Sequence, residues 1–246
     1  MDKNIKLTIE YDGAAYHGWQ HQPRHINIQQ TIKEKIETIA KEKINLIGAG
    51  RTDAGVHAIA QAANFKTRSR MNENQWLKAL NSLLPPDIAI KKAAIAPSDF
   101  HARFSARGKT YKYQILNQPI PSALCRNYVW HIPYPLKVNE MRKAAKFLIG
   151  KHDFSSFRAS SCSAKNPVRT IKKLTITKKD GFIKFIIEAD AFLHHMVRNI
   201  VGTLVEVGIG RLPPDAIKTI LHARDRKKAG RTAPPQGLFL VKVIYK

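Results

Sequence analysis

Ile5-Lys6-Leu7-Thr8-Ile9-Glu10-Tyr11 alternates apolar and polar side chains without a break, the period of a strand that sets one face against a core. Beyond a polar, turn-rich stretch from Asp12 to Asn27, the period changes. Ile28, Ile32, Ile36 and Ala40 recur every fourth residue and draw one apolar stripe along a helix. A short strand is predicted around Ile44 to Ile47. It leads into Gly48-Ala49-Gly50-Arg51-Thr52-Asp53-Ala54-Gly55-Val56-His57-Ala58, whose three glycines argue for a tight loop, with a further strand through about Lys66. Trp76, Leu77, Leu80 and Leu84 mark a second helix, roughly Asn72 to Leu84, which Pro85-Pro86 stop. Ile88 to Ile95 reads as a strand. The order is β-α-β-β-α-β.

The second half nearly repeats it. A strand from Lys109 to Leu116 is followed by a helix from Asn139 to Leu148, ending at Gly150. Arg169–Lys178 and Phe182–Ala189 form a hairpin turning at Asp180-Gly181. Helices at about His194–Val207 and Pro213–Ala223 precede a last strand, Leu238 to Tyr245. The predicted class is α+β: two ferredoxin-like (βαββαβ) halves with antiparallel sheets and the active site in the cleft between them. Pro97, Ser98 and Asp99 break the pattern. The expected domains are therefore 1–105, carrying the glycine loop, and 106–246.

Charge narrows the partner. Forty-two Lys and Arg against eighteen Asp and Glu leave +24, so the folded chain repels itself until it meets a polyanion. Nucleic acid is the leading partner and an anionic membrane surface the second. Residues 1–105 hold a net +5 and the remainder +19, which puts much of the polyanion surface in the second half. No apolar run reaches the length of a membrane span, and Met1-Asp2-Lys3 does not open a signal peptide, so a cytoplasmic protein is expected. Cys125 and Cys162 are too few for a disulfide framework or a four-thiolate zinc site; they are expected as small buried hydrophobes.

The glycine loop fails as a dinucleotide or phosphate loop. Asp53 stands where a third glycine would be required, and no Gly-Lys-Ser/Thr follows. Zincin and deaminase signatures are missing as well, and the pairs His21/His25 and His194/His195 come without an evident third ligand, so no metal is expected. What remains is one carboxylate, Asp53, between arginine and glycine. An acid beside glycine also serves plain turn geometry. Among so many cations, though, a carboxylate stays ionised and available as a nucleophile.

Gly50-Arg51-Thr52-Asp53-Ala54-Gly55-Val56-His57-Ala58 resembles the catalytic motif of the tRNA pseudouridine synthase A (TruA) family. Five further blocks match in order: Tyr11-Asp12-Gly13 through Gly18-Trp19-Gln20; His101-Ala102-Arg103-Phe104-Ser105-Ala106 with Tyr111-x-Tyr113; Asp153-Phe154-Ser155-Ser156-Phe157; Phe192 through Gly202; and Ala229-Gly230 through Pro234 with Gly237-Leu238. The resemblance spans residues 11 to 240. It implies a cytoplasmic, homodimeric isomerase that converts uridine to pseudouridine at tRNA positions 38 to 40 of the anticodon stem-loop, without cofactor or metal. It assigns the sugar chemistry to Asp53, the cation beside it to Arg198, and the ring against the extruded uracil to Tyr111, with Leu238 opposite. Arg51 becomes the candidate to fill the space a flipped base leaves, or else it bonds loop carbonyls. Arg158, Lys165, Arg169, Arg224, Arg226, Lys227, Lys228 and Arg231 become phosphate contacts, although charged runs are commonly solvated faces. Two readings compete: a non-catalytic tRNA or rRNA binder with the same fold and, more distantly, a metal-dependent nuclease, which would need clustered acids.

Overall fold

The computed structural model describes residues 2–246 and divides into two compact units, Met1–Arg107 with Phe239–Lys246, and Gly108–Leu238. In the first unit, β1 (Lys3–Tyr11), α1 (Ile28–Ala40), β2 (Ile47–Gly48), β3 (His57–Thr67), α2 (Glu73–Leu83) and β4 (Ile88–Ala96) follow in the predicted order. The antiparallel pairings place β1 between β4 and β3, with Ile5 opposite both Phe65 and Ile95, while β2 lies on β3. The resulting order, β4-β1-β3-β2, is that of a ferredoxin-like sheet. The last strand, Leu238–Ile244, joins β3 in parallel, with Phe239 opposite His57 and Leu240 opposite Ala58.

Alternation in β1 does what its spacing requires. Ile5, Leu7 and Ile9 are fully buried, each contributing about 2 kcal/mol of apolar burial. The helices supply the facing layer. Ile28, Ile32 and Ile36 are the buried stripe of α1; its N-cap, Asn27, accepts the Gln30 N–H, and Lys41 ends it in the left-handed region. Trp76 of α2 packs edge-on against Phe65 at 5.1 Å. A capping box opens α2, the Asn72 side chain accepting from the Gln75 N–H while the Gln75 side chain accepts from the Asn72 N–H.

The second unit comprises β5 (Gly108–Asn117), β6 (Trp130–Ile132), α3 (Val138–Lys146), β7 (Gly150–Asp153), β8 (Val168–Lys179), β9 (Phe182–Ala189), α4 (Met196–Gly208) and α5 (Ala216–Ala223). Its antiparallel order is β5-β9-β8-β7, and β6 adds to β5 in parallel. Asp180 and Gly181 turn the β8–β9 hairpin with φ of 50° and 76°, both left-handed as a two-residue hairpin turn demands. The chain is thus α+β with mostly antiparallel sheet, as predicted.

Several sequence expectations shift. The strand expected at 44–47 begins only at Ile47, because the Ile44 N–H donates to the Glu37 carboxylate and the Leu46 carbonyl accepts from Gln29. β6 and β7 were not predicted, since three or four residues are too few to show a period. α5 starts at Ala216 rather than Pro213. Both cysteines are half-buried free thiols rather than core residues, since they sit in turns. Among the described residues, no helix is long and apolar enough to cross a membrane.

Asn72→Ala removes one half of the capping box: the Gln75 N–H loses its side-chain acceptor, while the N–H of residue 72 still reaches the Gln75 side chain. The change is expected to destabilise the fold by about 1 kcal/mol, read as a lower urea midpoint at unchanged slope.

Candidate active site

The loop around Asp53 is held from several sides, all within the first unit. Thr52 is buried, and its hydroxyl pairs with that of Tyr11 at 2.8 Å. Burial drives the Tyr11 phenol well above its ordinary pKa, more than the bonds to Thr52 and Gln61 pull it down, so it stays protonated. The Trp19 N–H donates to the Thr52 carbonyl at 3.1 Å, and Gln61 Nε2 donates to the Gly50 carbonyl at 2.8 Å. A turn closes on the other side, where the Val56 N–H meets the Asp53 carbonyl at 3.1 Å and Gly55 adopts a φ of 75°. Backbone bonds fix the position of the loop; the Asp53 side chain is half-buried, and Arg51 beside it is exposed.

Two glycines that sequence reasoning assigned only to a matching block explain the clasp. A Cβ on Gly13 would stand 2.0 Å from the Val56 carbonyl oxygen, and one on Gly18 would stand 2.5 Å from the Thr52 oxygen. Gly18 also has a φ of 82°, which favours glycine. Buried His57 lies behind the loop, its ring stacked on Phe239 at 4.8 Å. Its Nδ1 is 3.1 Å from the Gly13 N–H and 3.0 Å from Asp12 Oδ1. A bare Nδ1 accepts the first; a protonated one donates to the second.

The remaining predicted residues belong to the second unit. Tyr111 is buried on β5 with its ring edge-on to Phe192 at 5.0 Å. Tyr113, two residues along the same face, donates its hydroxyl to the Pro234 carbonyl at 2.7 Å; burial raises its pKa against the charges of Arg198 and Arg231. Among the described residues of α4, all are buried except Arg198, whose Nε donates to the Ala233 carbonyl at 2.7 Å. The Ala233 N–H returns a bond to the Arg198 carbonyl at 3.1 Å, so helix and loop grip each other there. Leu238 is buried.

Of the expected phosphate contacts, Arg226 turns inward. Its guanidinium donates to the carbonyls of Ala229 and Gly230 and to Asn199 Oδ1 and Thr232 Oγ1, and burial lowers its pKa. It is a bracket for the 226–232 turn, and a charge count along the chain carries no sign of that. Arg158 reaches the Ala164 carbonyl at 3.3 Å. Arg169 donates Nη1 to the carbonyls of Asn166 and Val168, while its buried Nε has no hydrogen-bond partner among the described residues. Lys165, Lys227, Lys228 and Arg231 are exposed. A groove of about 540 Å³ is lined by Lys146, Lys151, His152, Lys218, His222 and Arg224. The acid in it, Asp153, is paired with Arg224 at 3.2 Å. Burial opposes the Asp153 charge, yet the Ser155 bonds and the neighbouring Arg224 and Arg158 hold its pKa below the usual range.

Gly18→Ala forces a side chain against the Thr52 carbonyl at a left-handed φ. It is expected to cost about 1–3 kcal/mol and to speed hydrogen exchange at the Trp19 and Val56 amides more than in α2.

The tRNA pseudouridine synthase family model matches residues 7–105 and 144–246. A tRNA pseudouridine synthase A of Thermoanaerobacter sp. (strain X514) is 50% identical over 99% of this chain and 100% of its own length. The enzyme of that name from Acetivibrio thermocellus shares 50% over the same coverage, and a tRNA pseudouridine synthase A 2 of Clostridium perfringens shares 49%. Matched over most of its length by the family model and half-identical to these relatives from end to end, the chain belongs to the tRNA pseudouridine synthase family.

Proposed function

We propose that this protein isomerises uridine to pseudouridine in tRNA, at positions 38 to 40 of the anticodon stem-loop, acting in the cytoplasm as a homodimer. The observation that carries the reading is the family match together with Asp53 at the centre of a loop whose backbone is bonded on both sides. Isomerisation breaks the bond from C1′ to N1 of uracil and joins C5 to C1′; the hydrogen leaving C5 is balanced by one gained at N1. No atom or electron is lost overall, so the reaction itself calls for no cofactor.

Breaking the nucleoside bond places positive character on the sugar. A fixed carboxylate answers that need, by stabilising or trapping C1′ or by taking a 2′ proton, and Asp53 is the residue we assign to it. Arg198 is assigned as its cation. The Nε bond to the Ala233 carbonyl fixes the stem of that charged side chain. Tyr111 offers the ring for the extruded base, with Leu238 opposite it, and Arg51 takes the space the base leaves. Arg158, Arg169 and the exposed lysines supply phosphate contacts, in keeping with a chain charge of +24.

Asp53→Asn tests the assignment. The amide is nearly isosteric, and the loop is held through backbone groups that the change does not touch. The variant is expected to fold, to bind an anticodon stem-loop transcript about as tightly as the parent, and to form pseudouridine at least about a thousand-fold more slowly by carbodiimide mapping. A folded variant with comparable turnover would reduce Asp53 to a turn residue.

Arg198→Met separates pairing from RNA binding. Losing the bond to Ala233 is expected to cost about 1 kcal/mol of stability, with turnover down by about a hundred-fold at nearly constant RNA affinity. Loss of affinity with turnover kept at saturation would make Arg198 an RNA contact instead.

A further inference from the structure

The segment from Phe100 to Ser105 is built to hold one aromatic ring in solvent. Phe104 is 75% exposed, beside a ring of His101 that stacks on it at 4.3 Å and 28°. The turn winds around that imidazole. Its Nδ1 accepts the N–H groups of both Arg103 and Phe104 at 3.2 Å, while the Ser105 hydroxyl accepts the His101 N–H at 3.1 Å and the Ser105 N–H returns to the His101 carbonyl.

Beneath the turn, fully buried Ala102 acts as the anchor. Its N–H donates to Asn64 Oδ1 at 2.8 Å and its carbonyl accepts the Tyr245 hydroxyl at 2.8 Å. Asn64 and Asn4, themselves bonded to each other, also hold the Phe100 carbonyl. Ala102 shares a buried cluster with Ala49 and Ala62, and Ala49 stands at the start of the loop that carries Asp53. A single exposed Phe on a mobile tip would mean little. One fixed by this many bonds, and joined through its anchor to the loop of Asp53, is preorganised for a ligand.

The surroundings select the ligand. The Arg103 guanidinium lies 5.6 Å from the ring centroid, and Arg103 and Arg107 are both exposed. An apolar ring among cations suits a flat anion-bearing group. We infer that Phe104, backed by His101 and flanked by Arg103, is a stacking platform for an unpaired nucleobase of the RNA substrate near the target uridine. The inference rests on the proposed tRNA activity.

Phe104→Ala, Phe104→Leu and Phe104→Trp test it, with filter binding of an anticodon stem-loop transcript at fixed salt, pseudouridine formation at saturating RNA, and sedimentation velocity on each protein. Stacking predicts that Ala and Leu weaken binding by about ten-fold, that Trp stays within about three-fold of the parent, and that saturated turnover and oligomeric state are unchanged. A Leu variant that binds like the parent would overturn the platform, because volume without a π-face would then suffice. So would weakened binding that tracks a change in oligomeric state, which would make Phe104 a protein contact. If the parent binds and converts no tRNA, the reading beneath the inference fails, and this one with it.

Discussion

The hydroxyl pair of Thr52 and Tyr11 joins the loop carrying Asp53 to β1, the strand flanked by β4 and β3 in the first unit. Everything local to that loop depends on it. With Thr52 drawn into the core, its carbonyl meets the Trp19 N–H, Gly18 must lack a side chain, and Asp53 is pushed to the half-buried rim. The main chain on both sides of that carboxylate is bonded to the scaffold. A rigid loop of this kind holds a reactive group in a set position.

Close backbone approach does similar work in the second unit. A Cβ on Gly202 would stand 1.7 Å from the Arg231 carbonyl oxygen, and one on Gly230 2.8 Å from the Thr203 Cα. α4 and the 226–233 turn therefore touch main chain to main chain, with Arg226 and Asn199 bonding what is left. Arg198 is the side chain of α4 spared from that packing, and its carbonyl and Nε are both engaged by Ala233. Two glycine-dependent clasps, one in each unit, set the two groups to which the chemistry is assigned.

Much of this was legible beforehand. Ile5 to Tyr11, the stripe of α1 and the Asp180-Gly181 hairpin carry their structure in local periods and turn chemistry, which the chain cannot easily contradict. The loop could be singled out because chemistry needs residue types that packing does not. The roles of Gly13, Gly18 and Arg226 were not legible, because the two glycines meet carbonyls far away in sequence and Arg226 reaches the distant Asn199 side chain. Leu46 misled for a related reason: its carbonyl is taken by the Gln29 side chain rather than by a neighbouring strand. Charge was informative in sum and uninformative one residue at a time, as inward-facing Arg226 illustrates.

The central claim, that this scaffold converts uridine in the anticodon stem-loop, is most directly tested with the unaltered protein. Unmodified transcripts carrying a single uridine at position 38, 39 or 40, and controls with uridine elsewhere in the stem, would be incubated and mapped with carbodiimide. The account predicts stops at 38, 39 and 40 and none at the control positions. Tight binding without any stop, or stops confined to the controls, would contradict it.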